Sequence, residues 1–260
     1  MTALASLTGV TLGARIANMD LSVGAGECVV LVGKNGAGKS TALQLLSGLL
    51  PPNAGTALLS DREAARLPES ERAALVAWLP QRPNVDGTLT AREVVALARF
   101  RFAERPGDSL SHAEALLESA DAGHLARARI DALSGGEVQR VLLAALRAQG
   151  APLLLVDEPA NHLDPLAQVQ TYRALGRLWQ DEQAALVLVT HDLRLCQLLG
   201  PAERILVVGL STGSILWRLR LDSSELPAAL ERLYGVPFAP LGAPGGLGIL
   251  MDALLGGGAS

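Results

Sequence analysis

The apolar positions of this chain fall into short unbroken runs. Residues 27–32 (Glu-Cys-Val-Val-Leu-Val), 153–156 (Leu-Leu-Leu-Val) and 185–189 (Ala-Leu-Val-Leu-Val) lack the alternation of a strand with one wet face. They read as central strands of a parallel sheet covered on both sides. The first is entered through the turn Gly24-Ala25-Gly26 and leads into a glycine-rich stretch. A helix over about residues 39–49 follows, ended by Gly48 and Pro51-Pro52. Residues 204–208 and 214–221 predict a late antiparallel pair around Ser211-Thr212-Gly213. Between about residues 82 and 150 the character changes, with helical spacing and much alanine over 92–101, 111–120 and 137–149. The pattern predicts an α/β core over about 1–81 and 151–235, with an inserted helical lobe over about 82–150. Residues 236–260, rich in Gly, Pro and Ala, predict a partly ordered tail.

Composition narrows the class. Over 260 residues, 49% are hydrophobic and 18% charged, so the chain is globular and not disordered. Aromatics are only 3%, so aliphatic side chains and alanine must build the core. A net charge of −4 offers no electrostatic footprint for nucleic acid, and no nucleic-acid partner is expected. Cys28 and Cys196 lie far apart without metal-ligand spacing, which argues against a disulfide framework or a zinc site. No run of about 18 apolar residues is present, and residues 1–13 lack the pattern of a signal peptide. The simplest expected location is the cytoplasm, with membrane association through a partner.

Three segments carry chemistry. Gly33-Lys34-Asn35-Gly36-Ala37-Gly38-Lys39-Ser40 fits the phosphate-loop pattern G-x-x-x-x-G-K-[ST], after a strand and before a helix. Its glycines let backbone N–H groups turn inward around phosphate oxygens, and the helix N-terminus favours negative charge. Lys39 suits the β- and γ-phosphates, the Ser40 hydroxyl suits Mg²⁺, and Thr41 belongs to the same helix start. Leu153–Val156 runs into Asp157-Glu158-Pro159. On its own an acidic pair after a strand is a helix cap. Beside a phosphate loop, Asp157 suits the Mg²⁺ sphere and Glu158 suits polarising the attacking water. Leu133-Ser134-Gly135-Gly136-Glu137 opens a helix with a serine cap and makes a second anion-binding N-terminus. One nucleotide on one chain does not need two such ends.

With that segment the sequence resembles the ABC ATPase family over roughly residues 10–235. Leu133–Glu137 is similar to the family's signature motif, followed by Gln139-Arg140, with Glu137 where glutamine is common. Gln81, in Leu79-Pro80-Gln81, resembles the Q-loop glutamine that touches Mg²⁺ and borders the transporter-facing surface. Asn161-His162-Leu163-Asp164 resembles the D-loop, and His191, in Val189-Thr190-His191-Asp192, the switch histidine at the γ-phosphate. His112, His124 and His162 have no comparable partner set and read as surface or packing residues. The resemblance implies a P-loop NTPase with a RecA-like core and an inserted α-helical subdomain, using ATP and Mg²⁺. It also implies a head-to-tail homodimer, each nucleotide held by Lys39 and Ser40 of one copy and by Ser134, Gly135 and Gly136 of the other.

The family usually stacks an aromatic residue on adenine. The matching stretch Gly9-Val10-Thr11-Leu12-Gly13 has none, Leu12 falls nearest that position, and GTP use stays open. Three segments resemble importers of iron–siderophore, haem or vitamin B12: Thr90–Arg99, Asp164–Val169 and Leu233-Tyr234-Gly235-Val236. This implies a peripheral subunit on the cytoplasmic face of the membrane, bound to a separate permease and served indirectly by a substrate-binding protein. The alternative is a soluble ABC ATPase acting as a mechanical or scaffold component, as in iron–sulfur cluster assembly.

Overall fold

The computed structural model describes residues 3–181 and 183–238. The chain opens with the antiparallel strands β1 (Ala3–Leu12) and β2 (Ile16–Gly24). β3 (Cys28–Val32) leads through the glycine-rich loop into α1 (Lys39–Leu46). β4 (Ala54–Leu59) returns to pair with β1, and β5 (Arg62–Glu63) pairs with β4. α2 (Glu69–Leu75) runs straight into β6 (Val76–Leu79). The helices α3 (Ala91–Leu97), α4 (Pro106–Ser119) and α5 (Gly135–Ala148) follow. After them come β7 (Leu153–Asp157), α6 (Pro165–Asp181), β8 (Ala185–Val189) and α7 (Leu193–Cys196). A hairpin of β9 (Ile205–Ser211) and β10 (Ser214–Arg220) precedes α8 (Leu226–Tyr234).

The main sheet has the order β10-β9-β3-β8-β7-β6, parallel except for β10. Successive side chains of a strand point to opposite faces. In β3, β7 and β8 both faces are dry. Val30, Leu154, Leu186 and Val207 join one core, and Val29, Leu155, Val187 and Val208 join the other. That double burial is why the strands read as unbroken apolar runs. The first core is shared with α5, α6 and α8, through residues such as Leu143, Trp179 and Leu230. The second is shared with α1 and with a separate antiparallel sheet of order β2-β1-β4-β5.

The sequence pattern does not predict that smaller sheet. β1 pairs with two neighbours through repeated register shifts, and Asn18 in β2 turns to φ 48°. Each irregularity breaks the two-residue period on which strand recognition depends. The expected helix 92–101 stops at Leu97, and residues 100–102 form a 3₁₀ turn closed by Ala103 at φ 49°. The expected helix 111–120 starts earlier, at Pro106, a residue suited to the first helical turn. α3, α4 and one side of α5 enclose a third core around Val95, Leu117 and Val141. α5 belongs to two cores, with Leu142 and Leu146 towards the sheet and Ala144 and Ala148 towards its helical neighbours. Of the expected tail, residues 239–260 lie outside the described residues.

Candidate functional site

Parallel strands end on one edge, and ligands of open α/β sheets collect there. Val156 lies opposite Leu79 and Leu188, and Val189 lies opposite both Asp157 and Leu31. The residues that follow these positions therefore meet: the Gly33 loop after β3, Gln81 after β6, Glu158 after β7 and His191 after β8. They enclose a cleft of about 640 Å³, with residues 35–41 on one wall and Gln81, Glu158, Asn161, His162 and His191 facing them.

The loop is held by backbone geometry that only glycine satisfies. Gly38 sits at φ 97°, and a Cβ there would lie 2.8 Å from the Arg15 carbonyl oxygen. A Cβ on Gly33 would lie 2.4 Å from the Leu210 carbonyl oxygen. The turn is closed by the Ala37 N–H on the Lys34 carbonyl at 3.1 Å. α1 starts with no side-chain cap and no acid in its first turn. Its first amide groups are therefore open to an anion, with the helix dipole adding to the attraction. Lys39 is 6% exposed, and its Nζ donates to the carbonyls of Gly33 at 2.8 Å and Lys34 at 3.2 Å. Burial pushes its ammonium below the ordinary lysine value, while Glu158 and Asp157 pull it back up.

Asp157 is 4% exposed. Burial raises its carboxyl above the ordinary aspartate value, the Ser40 hydroxyl bonded to it works in the other direction, and Glu158 adds to the rise. Its Oδ1 is buried with no hydrogen-bond partner. An orphaned carboxylate oxygen beside a serine hydroxyl is a hard-oxygen donor set that fits Mg²⁺. Gln81 spends Nε2 on Glu158 Oε2 at 2.7 Å, leaving its carbonyl oxygen as a third donor. Among the described residues no cluster of three His, Cys, Asp or Glu could hold a metal unaided.

Glu158 sits at φ 48°, an uncommon conformation for this residue type, with its N–H on the Val189 carbonyl at 2.9 Å. The turn aims its carboxylate into the cleft. There His191 Nε2 lies 2.8 Å from Oε1, and Gln81 and Asn161 both donate to Oε2. The Glu158 side chain is 11% exposed and that of His191 36%. One carboxylate is thus fixed by three side chains from three loops, a rigid arrangement for orienting a water molecule.

The second helix end lies elsewhere on the chain. Ser134 caps α5 in a reciprocal box, accepting the Glu137 N–H at 3.4 Å while its own N–H donates to Glu137 Oε2 at 2.8 Å. The Ser134 hydroxyl, which also donates to Oε2 at 2.6 Å, and then the Ser134 N–H hold the Glu137 carboxyl below the ordinary value. Ser134, Gly135, Gly136, Glu137 and Asp164 line a separate cleft. None of them lines the cleft of Lys39. Among the described residues only His162 borders both.

Of the expected site residues, loop residues 35–41, Gln81, Glu158 and His191 come together, with Asp157 at the Ser40 hydroxyl. Gly33 is buried behind the loop. His162, read from sequence as surface or packing, is exposed but stands on the cleft wall at φ 66°. Leu12, placed by sequence nearest the base, packs against the core beneath α1. Arg15, three residues on in the β1–β2 turn, lines the cleft instead. The hairpin pairs Leu12 with Ile16 and projects the turn between them over the loop. Asn161 lies in the D-loop-like segment, where sequence alone assigns it no role. No local pattern marks Arg15, since only folding brings it to the loop.

Comparison with known proteins bears on the family and the fold. The family model described as ABC transporter matches residues 16–161. The hemin import ATP-binding protein of Pseudomonas entomophila is 38% identical over 229 residues, 85% of this chain and 87% of that protein. A probable siderophore transport system ATP-binding protein of Bacillus subtilis is 34% identical over 184 residues, 69% of this chain and 67% of that protein. An ATP-binding cassette solved as a dimer in a post-hydrolysis state, bound to ADP and Pi, superposes with a TM-score of 0.74 at 26% identity. It covers 84% of this chain and 99% of its own.

Proposed function

The chain belongs to the ABC transporter family as an ABC ATPase, and on that footing we propose that it powers an importer of iron–siderophore, haem or vitamin B12. It works as a homodimer at the cytoplasmic face of the membrane, against a separate permease. The import class is supported by the haem and siderophore importers among its relatives. The permease is supported by two further observations. No described helix is long and apolar enough to cross a membrane. Leu97, Phe100 and Phe102 stand exposed at the end of α3 and the turn after it, an apolar surface that calls for a partner.

The reaction is ATP + H₂O to ADP + phosphate. The α1 N-terminus, with Asn35, Gly36, Ala37, Gly38 and Thr41 around it, holds the phosphates, and Lys39 leaves the Gly33 carbonyl to meet the β- and γ-oxygens. Ser40, Asp157 and Gln81 would hold Mg²⁺. When bound, that ion neutralises charge on the phosphate oxygens. Glu158 orients and polarises the attacking water, and His191, at 2.8 Å from Glu158, reads the γ-phosphate. One observation carries the shared-site reading: Ser134, Gly135 and Gly136 line a cleft that does not include Lys39. Two copies placed head to tail bring the α5 end of one onto the phosphates of the other, with Asp164 and its neighbours between. ATP closes the pair and hydrolysis opens it.

The test is a pull-down of tagged Glu158→Gln protein with MgATP from detergent-solubilised membranes of its source, read by mass spectrometry. Recovery of a polytopic permease supports the importer reading and points to its substrate. Recovery of a soluble partner alone overturns it and favours the scaffold ATPase.

A further inference from the structure

The ladder of β3 ends where the phosphate loop begins. Its last pair is Val32 with Gly209, so Gly33 carries the first amide beyond the sheet. Gly33 is buried, and a buried N–H needs an acceptor. The acceptor comes from the far end of the chain: the Tyr234 hydroxyl takes the Gly33 N–H at 3.0 Å across a separation of 201 residues. On the other side of the same residue the carbonyl accepts Lys39 Nζ at 2.8 Å. Leu210, in β9, closes the third side, with its carbonyl oxygen 2.4 Å from where a Cβ would stand. Gly33 is thus clamped by a strand, a lysine and a tyrosine.

The tyrosine is itself well held. α8 buries Leu226, Leu230 and Leu233 against the sheet and ends at Tyr234 itself, capped by Gly235 with φ 79°. The Tyr234 ring meets Phe238 at 5.7 Å between centroids. Burial pushes its phenol up to about 12, so the hydroxyl keeps its proton across the neutral range.

We propose that Tyr234 is a positioning residue for nucleotide binding: its hydroxyl keeps Gly33, and with it the start of the phosphate loop, in the binding geometry. This rests on the reading of residues 33–40 as the ATP site. When Lys39 turns to the phosphates it releases the Gly33 carbonyl, and Tyr234 becomes the side chain that still holds this residue. Without the hydroxyl a smaller fraction of loops is competent, and apparent affinity falls by that fraction. Through this bond the last residue of α8 holds a loop at the other end of the sequence.

The experiment compares Tyr234→Phe and Leu233→Ala with the parent. Readouts are the Kd for a fluorescent N-methylanthraniloyl ATP with Mg²⁺, kcat at saturating ATP, and Tm with and without nucleotide. Tyr234→Phe keeps the ring and loses one hydrogen bond. It should weaken nucleotide binding about 3- to 10-fold with kcat at saturation unchanged. The rise in Tm on adding nucleotide should shrink accordingly. Leu233→Ala weakens the packing of α8 but keeps the hydroxyl, so it should lower Tm and leave Kd at the parent value. Equal Kd values for Tyr234→Phe and the parent would overturn the proposal, as would a Leu233→Ala variant that loses affinity as much. A parent that binds no nucleotide would instead overturn the ATP-site reading beneath it.

Discussion

Replacing Glu158 by Gln changes one oxygen for an NH₂ and removes one charge. The backbone conformation at φ 48° carries over unchanged. Glu158 Oε2 accepts from Gln81 and Asn161, and an amide oxygen in that place can still accept both. The new NH₂ then faces His191 Nε2, which stood 2.8 Å from Oε1. A neutral imidazole resolves this by carrying its proton on Nδ1 and accepting at Nε2. The site therefore keeps its shape, and removing a negative charge near the phosphates favours nucleotide binding. What is lost is the basic oxygen that polarises water. General-base work of this kind contributes about 10²–10⁴ in rate. That is about 3–5 kcal/mol of barrier. The assay is phosphate release at saturating MgATP, beside a Kd for the same variant. The expected result is turnover down by about 10²–10⁴-fold with a Kd equal to or below that of the parent. Turnover within a few-fold of the parent would refute the role of Glu158, and a large loss of affinity would refute the claim that its three partners tolerate the swap.

Two further outcomes follow from the same geometry. The Asp157 carboxyl is raised in the folded state above its ordinary value of 3.8, chiefly by burial, so its contribution to stability is complete below that value. It is lost as pH rises through the folded value, and the ionised group opposes folding at neutral pH. Asp157→Asn should therefore have a higher Tm than the parent at pH 7, the difference closing towards about pH 3, while MgATP turnover is lost. A Tm difference that stayed the same across that range would contradict the burial argument. Gly33→Ala puts a methyl 2.4 Å from the Leu210 carbonyl oxygen. Relieving that contact strains the backbone at a cost of about 1–3 kcal/mol, so urea unfolding should show that loss together with weakened nucleotide binding. Parent-like stability and affinity would mean that the close approach has no mechanical role.

The central strands β3, β7 and β8 were legible because burial on both faces writes itself as unbroken apolar sequence, as the Leu-Leu-Leu-Val run of β7 does, whereas the four-residue β6 at the sheet edge was not. The residues of the phosphate loop and the Asp157-Glu158 pair were legible because their spacing is local and their chemistry specific. The antiparallel strands β1 and β2 were not, because bulges and the turn at Asn18 interrupt the alternation. Arg15, Asn161 and Tyr234 were missed as site residues for a different reason. Each acts on a partner reached by tertiary folding: the loop in front of Arg15, the carboxylate of Glu158, the amide of Gly33. No periodicity encodes such meetings. Leu12, placed by sequence nearest the base, is partly buried against the core, while Arg15 across the same hairpin turn lines the cleft.

If each nucleotide is shared between two chains, two chains disabled at different places restore one another when mixed. Lys39→Ala removes the phosphate-loop half of a site, and Ser134→Arg blocks the α5 half. In a homodimer of either variant both sites are broken. In a mixed dimer the intact Lys39 of one chain meets the intact Ser134 of the other, which makes one complete site and one doubly broken one. Single-turnover phosphate release should be near zero for each variant alone and should appear on mixing, from roughly a quarter of the sites a parent sample would hold. A mixture as inactive as its components would mean that the site is not shared, because a site built within one chain cannot be repaired by a partner.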